Sequence, residues 1–129
     1  MSIHADEPQP VSAPPLRPDQ PPPLCDYEGS AYRVEFWTGA RAFEDLAERH
    51  ALRALLPPQG ARVVEIGAGF GRLADLYAGY SQVILVEPAL SMLRQAQERL
   101  AQDPRFVFVR ANVYDLPLQD QTLDTVVMV

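Results

Sequence analysis

Three glycines at every second position, Gly67, Gly69 and Gly71, follow the apolar run Val63-Val64-Glu65-Ile66 and constrain this chain more than any other feature. Glycine is needed where the backbone takes positive φ or passes close to another group. An apolar run ending in such a series is a strand that enters a tight turn, and the turn is expected to open a helix. The helix start would offer unpaired N–H groups to an electronegative ligand. The stretch therefore predicts a nucleotide-type site at the carboxyl end of a first strand.

Periodicity fills in the neighbours of that turn. A helix is expected over 40–56, where Phe43, Leu46, Ala47, Ala51, Ala54 and Leu55 recur at steps of three and four; Pro57-Pro58 ends it. His50 lies beside this stripe and reads as a packed or edge histidine. Strand one is expected over 62–66. A helix over 70–78 follows, with Leu73, Ala74 and Tyr77 facing the sheet and Gly79 suited to its C′ position. Strand two is expected over 82–86 as a continuous apolar run, the pattern of a buried parallel strand, with Glu87 at its end. Pro88 then starts a helix to about residue 101, whose inward face is Leu93, Ala96 and Leu100, with Met92 beside them. Strand three is expected over 106–109, a loop over 112–121, and strand four over 123–129. Alternation of this kind implies an α/β fold, a Rossmann-like doubly wound parallel sheet with helices on both faces. Strands β1–β4 would be present and the C-terminal strands missing. Strand four is apolar, and its outer edge would lie bare in such a sheet. The expectation is that the chain is the N-terminal part of a longer protein, or takes a partner.

Composition sets limits on the rest. The chain has 129 residues and a formal net charge of −6. An acidic chain without a basic stripe is a poor partner for nucleic acid or an anionic membrane. The first 26 residues hold eight of the 13 prolines and read as a disordered or polyproline-like tail, a linker rather than a ligand for a proline-binding module. That leaves 27–129 as one folding unit. Cys25 is the single cysteine, so no disulfide forms within the chain, and with His4 and His50 far apart no Cys/His metal cluster is expected. The N-terminus has no basic and apolar pattern of a secretory signal. No apolar run approaches the roughly 20 residues of a membrane span. A soluble cytoplasmic protein is the expectation.

Four features are expected along the carboxyl edge of the sheet: the 67–71 turn, Glu87, Asn112, and Asp124 at the start of strand four. Glu87 comes twenty residues after Gly67, where an acid can accept two hydrogen bonds from a ribose diol. A dinucleotide fingerprint wants G-x-G-x-x-G. Here its third glycine position is Arg72, and the glycine comes one residue early, at Gly71. Glu65, before the turn, suits a cationic group, or else bonds nearby backbone.

These residues carry a family resemblance. Glu65-Ile66-Gly67-Ala68-Gly69-Phe70-Gly71 resembles the first motif of class I SAM-dependent methyltransferases, E/D-x-G-x-G-x-G. Val86-Glu87-Pro88-Ala89-Leu90-Ser91-Met92-Leu93 resembles the segment after their second strand. Asn112-Val113-Tyr114-Asp115-Leu116-Pro117-Leu118 resembles D-A-x-x-L-P-F, and Gln119–Asp124 with Val126-Val127 resembles D-x-S-F-D-x-V. The resemblance, to the type 11-like group of the family, covers roughly 27–129 and implies its N-terminal, SAM-binding portion. It implies S-adenosylmethionine (SAM) held by Glu65, Gly67, Ala68, Gly69, Gly71, Glu87, Pro88, Asn112 and Val113. The glycines would admit the methionine portion, Glu65 would orient its amino group, Glu87 would bind the ribose, and Asn112 and Val113 would flank the adenine. Many members carry Asp at the position of Asn112; the amide oxygen of Asn is also an acceptor.

The implied reaction is methyl transfer to an unidentified, small-molecule acceptor. Positioning does most of the work in such chemistry, and the sequence names no catalytic residue. Tyr27, Tyr32 and Trp37 either cover the cofactor, where a cation–π contact with a sulfonium is sensible, or pack the first helix onto the sheet. Two other readings stay open: another Rossmann-type enzyme, NAD-dependent or aminopropyl-transferring, and a non-catalytic cofactor-binding module.

Overall fold

The computed structural model describes residues 27–31, Arg33, Trp37 and 41–129. The proline-rich tail, Cys25, Tyr32 and Phe36 lie outside the described residues. The elements are α1 (Ala42–Leu55), β1 (Gly60–Ile66), a 3₁₀ turn (Ala74–Tyr77), β2 (Tyr80–Val86), α2 (Leu90–Leu100), β3 (Phe106–Val109) and β4 (Thr125–Met128). The four strands form one parallel sheet in the order β3-β2-β1-β4. In register, Val64 lies beside Ile84 on one side and Val126 on the other.

Strand parity divides the core between the two faces of the sheet. Val63, Val83, Leu85 and Val127 point to one face, where Leu73, Tyr77 and Ala96 cover them and Leu52, Leu56 and Leu100 pack alongside. Val64, Ile84 and Val86 point to the other, where Leu116, Leu118 and Leu123 of the long β3–β4 connection pack. Among the described residues all three helical elements lie on the first face, and the second is covered by that connection. Helices on both faces were the expectation; among the described residues the β3–β4 connection instead covers its face, with Leu116, Leu118 and Leu123.

Strand four, expected over 123–129, is Thr125–Met128, and two expected helices differ. Over 70–78 only one 3₁₀ turn forms, and Gly79 does not take positive φ. Gly79 is required by close approach instead: a Cβ there would meet the Pro58 carbonyl oxygen at 1.9 Å. In α1, the stripe chosen from periodicity faces out, with Phe43 79% and Leu55 78% exposed. The inward face is Asp45, Glu48, Arg49 and Leu52. His50 is exposed. Beyond Leu56, Pro57-Pro58 disfavours helix and the backbone becomes extended.

β4 forms one edge of the sheet, and Val126 and Met128 on it are exposed. Among the described residues no helix is long and apolar enough to cross a membrane.

Because the clash at Gly79 is with backbone, no rotamer relieves it. We predict that Gly79→Ala lowers the unfolding free energy by about 2 kcal/mol or more, read by urea denaturation. A loss under 0.5 kcal/mol, the usual scatter of neutral surface changes, would contradict the close approach.

Candidate functional site

The parallel register puts the ends of β1, β2 and β3 along one edge, and two cavities open there. One, of about 300 Å³, is lined by Glu65, Ala68, Arg72, Trp37 and the α1 residue Glu48. The other, of about 320 Å³, is lined by Tyr27, Glu87, Pro88, Met92, Asn112 and Val113. Both include Gly67, Gly69 and Val129, so they meet over the glycine turn as one trough.

The turn engages four of its own N–H groups within the protein. Gly67 and Ala68 both donate to the Val86 carbonyl, at 2.9 and 3.0 Å, and Gly71 donates to the Ala68 carbonyl at 2.9 Å. Gly69 donates to Glu87 Oε2 at 2.9 Å. A row of free N–H donors at a helix start was the expectation. The structure lacks that helix, and Val86 and Glu87 at the end of β2 take three of the amides. Gly67, Gly69 and Gly71 all adopt positive φ, and no side chain narrows the trough at Gly67.

Two buried acids stand on either side of the turn, Glu65 4% and Glu87 5% exposed. Glu87 binds the Gly69 N–H through one oxygen and the Ala89 N–H, at 2.8 Å, through the other. It fastens the turn after β1 to the start of α2, and each oxygen keeps a further lone pair. Glu65 Oε2 accepts the Tyr77 hydroxyl at 2.9 Å. Burial pushes the Glu65 carboxyl up to about 7; Tyr77 and the Arg72 charge work against burial, and Glu87 adds to it. Burial, followed by the charge of Glu65, drives the Tyr77 hydroxyl well above its ordinary value.

Arg72, where a dinucleotide site would have glycine, has a definite task. Its guanidinium pairs with Asp45 and Glu48 of α1 and lies 3.6 Å from the centre of the Trp37 ring. Arg49 pairs with Asp45 and Asp75 and donates to the Arg72 carbonyl. Burial opposes ionisation of Asp45, but hydrogen bonds from Arg72 and Arg49 hold its carboxyl below the ordinary range. This network attaches α1 to the turn and explains the helix's polar inward face. The acids at Asp45 and Glu48, one turn apart, were its signal in the sequence.

The expected site residues do not all reach the trough. Glu65, Gly67, Ala68, Gly69, Glu87, Pro88, Asn112 and Val113 line it. Gly71 does not. It is buried against α2, where a Cβ would meet Leu100 Cδ1 at 2.8 Å and Ala96 Cβ at 3.6 Å. Its glycine serves packing between turn and helix. Asn112 lines the trough, but its Oδ1 accepts the N–H groups of Tyr114 and Asp115, at 2.8 and 3.2 Å, in an Asx turn. Its amide nitrogen is the group left for a ligand. Asp124 is not at this edge. It lies opposite the start of β1, and accepts the Arg62 N–H at 2.6 Å. The first residue of a parallel strand lies at the amino edge, away from the turn.

Glu28 was missed. Its carboxylate accepts the N–H groups of Leu90 and Ser91, at 2.6 and 2.8 Å, capping α2 from 62 and 63 positions away. Gly29 donates to Ser91 Oγ at 3.0 Å, and these bonds bring Tyr27 to the rim of the second cavity. Nothing local in the sequence signals a cap supplied from that distance. Trp37 packs near Phe70 and Met92 as well as lining the first cavity.

A parallel α/β sheet with an acid-walled trough at its carboxyl edge defines a small-molecule or cofactor-binding domain. Residues 63–129 match the family described as methyltransferase domain. The chain is 32% identical over 111 residues to the demethylmenaquinone methyltransferase of Clavibacter sepedonicus, covering 85% of this chain and 45% of that protein. It thus spans under half the length of this curated relative. Among solved structures, a Leishmania major SAM-dependent methyltransferase superposes with a TM-score of 0.52 at 29% identity, over 64% of this chain and 35% of that one. The Haemonchus contortus phosphoethanolamine N-methyltransferase 1 shares the fold at TM-score 0.59 and 24% identity, over 65% of this chain and 18% of that one. The chain belongs to the class I SAM-dependent methyltransferases, through the methyltransferase domain family.

The buried acid makes a pH-dependent prediction. Glu65 binds its proton more tightly folded than unfolded, so its effect on stability is complete below the ordinary value of 4.5 and is lost as pH rises through about 7. Glu65→Gln removes that loss and keeps an acceptor for Tyr77. The variant should match the parent near pH 4.5 and exceed it by on the order of 3 kcal/mol at pH 8.5, in urea denaturation at each pH. A gap that does not widen with pH would contradict a proton-retaining Glu65.

Proposed function

We propose that the chain is the cofactor-binding part of a SAM-dependent methyltransferase acting on a small-molecule acceptor. The observation that carries this reading is the trough: acids wall it on both sides, and the N–H groups of Gly67, Ala68, Gly69 and Gly71 in the turn between them are engaged within the protein. Such a surface disfavours phosphates, which bind to free N–H groups at a helix start. It favours a ligand with cationic groups and hydroxyl donors. SAM has a sulfonium, an ammonium and a ribose diol, and the residues present fit them. Phosphate-bearing NAD fits poorly, which counts against that alternative.

In this reading Glu65 receives the ammonium and the spare lone pairs of Glu87 receive the ribose hydroxyls. Gly67, Ala68 and Gly69 supply a floor without side-chain bulk. Pro88, Met92 and Val113 form an apolar slot for the adenine, and the Asn112 amide nitrogen donates to a ring nitrogen. Gly71 supports the turn from behind. Bound SAM would supply a methyl carbon activated by its sulfonium for in-line displacement. The protein's part is to fix that carbon and keep water away.

A small acceptor is supported by the net charge of −6 and by the names of the relatives, one a demethylmenaquinone and one a phosphoethanolamine methyltransferase. A cytoplasmic site of action belongs to the same reading, in keeping with a lone Cys25.

Calorimetric titration of SAM and S-adenosylhomocysteine tests the cofactor. We expect binding, weakened about tenfold or more in Glu87→Ala, which removes charged acceptors from a buried site. A folded sample that binds neither compound, or a Glu87→Ala variant that binds both as well as the parent, would contradict this reading.

A further inference from the structure

Tyr77 is 0% exposed, in the apolar cluster formed by Val63, Leu73, Tyr80 and Leu85. Its ring meets Tyr80 edge-on, with centroids 6.5 Å apart. Phenylalanine would fill this space equally well, so packing does not account for the hydroxyl. A buried hydroxyl is costly unless bonded. Among the described residues its one partner is Glu65 Oε2. Glu65 Oε1 takes no hydrogen bond from them, and the side chain lines the first cavity beside Gly67 and Ala68. One oxygen is therefore held from behind and the other is left for the trough.

The backbone makes this geometry rigid. Tyr77 ends the 3₁₀ turn, and Arg105 donates to the Tyr77 carbonyl at 3.3 Å and to those of Ala78 and Tyr80 at 3.1 and 3.0 Å. Arg105 is itself fixed by Asp103. Glu65 is fixed by the parallel register, beside Leu85 and Val127. Both ends of the Tyr77–Glu65 bond thus sit on pinned backbone.

We propose that Tyr77 is a positioning residue for the cofactor: its hydroxyl holds Glu65 as a charged, oriented acceptor for the ammonium group of SAM. This rests on the SAM reading of the trough. The other charged groups facing Glu65 are Arg72 from the turn, Glu87 from the end of β2, Glu48 and Glu44 from α1 and Arg41 just before it, with Asp75 acting on Tyr77. Arg72 and Tyr77 favour the carboxylate; burial and Glu87 oppose it. When an ammonium docks on a protonated Glu65, the acid releases its proton to solvent. Binding and ionisation are therefore linked.

The test is titration of S-adenosylhomocysteine, which keeps the ammonium, between pH 5.5 and 8.5. For the parent chain, affinity should rise with pH and level off above about 7, the value to which burial raises Glu65. In Tyr77→Phe the midpoint should move up by about one pH unit or more, with affinity about fivefold or more lower at pH 7 and within about threefold at pH 8.5. Glu65→Gln should bind weakly at every pH, with a flat profile. A 3-fluorotyrosine incorporated at position 77 keeps the ring and strengthens the donor, so the midpoint should move down, a readout that survives if Tyr77→Phe fails to fold. Carbon-13 titration of the Glu65 carboxyl without ligand should show the same shifts. A Tyr77 variant whose profile overlies the parent's, or drops by one factor at all pH values, overturns the inference and leaves the SAM reading intact. A folded parent that binds no S-adenosylhomocysteine at any pH overturns the SAM reading and this inference together.

Discussion

The trough depends on where the 67–71 turn sends its N–H groups. Had the chain entered a regular helix after Gly69, the first four amides would have been left without internal partners. The Val86 carbonyl takes two amides, Glu87 a third and the Ala68 carbonyl a fourth. This is possible because β1 and β2 are in parallel register to their ends, with Ile66 beside Val86. The turn is thereby sewn to β2, and Glu87 lies under the loop with its carboxylate engaged on both sides. A site that could have been a ring of donors becomes a wall of acceptors. The choice between anionic and cationic ligand is made by hydrogen-bond bookkeeping before any ligand arrives.

The second consequence concerns α1. A turn without a helix behind it needs other support, and Arg72 supplies it by reaching Asp45, Glu48 and the face of Trp37. Exposed ion pairs contribute about 0–1 kcal/mol each. Those of Arg72 are better placed, since its side chain is 14% exposed and it engages two acids and a ring together. The helix must then turn its polar side inward, and Phe43, Leu46 and Leu55 are left outside.

That reversal marks what the sequence could convey. Strands were legible because the strands of this parallel sheet are continuous apolar runs: 106–109 matches β3, and the ends of β1 and β2 fall at 66 and 86 as expected. Their starts lie two residues earlier, where Gly60 pairs with Tyr80 and the Tyr80 hydroxyl bonds the Pro57 carbonyl and Thr125 Oγ1. The glycine series was legible as backbone chemistry, and positive φ at all three members follows from it. The roles of the individual glycines were not legible. Gly71 packs against Leu100, 29 residues on, and Gly79 against Pro58, contacts that exist only after folding. The face of α1 was misread for the same reason: period 3.6 gives an apolar stripe, but tertiary charge pairing decides which side is buried. Asp124 was placed by its nearness in sequence to an apolar strand, although parallel direction puts a strand's first residue at the far edge. Glu28 and Tyr77 act through partners 62 and 12 positions away, with no periodic signature.

The two buried acids impose an energetic tension that bears on how such a site works. Burial, with the nearby charge of Glu87 adding to it, raises the cost of ionising Glu65 beside one narrow turn. Only part of that cost is relieved within the protein, by the Tyr77 hydroxyl and the Arg72 charge. A cation entering the trough relieves the remainder, so the apo state holds in reserve an electrostatic cost that a cationic ligand can recover. A neutral analogue of the same shape gains only the burial of its apolar surface. The discrimination between charged and uncharged ligands therefore resides less in any single contact than in the decision, made by the fold, to bury two carboxylates beside a turn whose Gly67, Ala68 and Gly69 amides are already engaged.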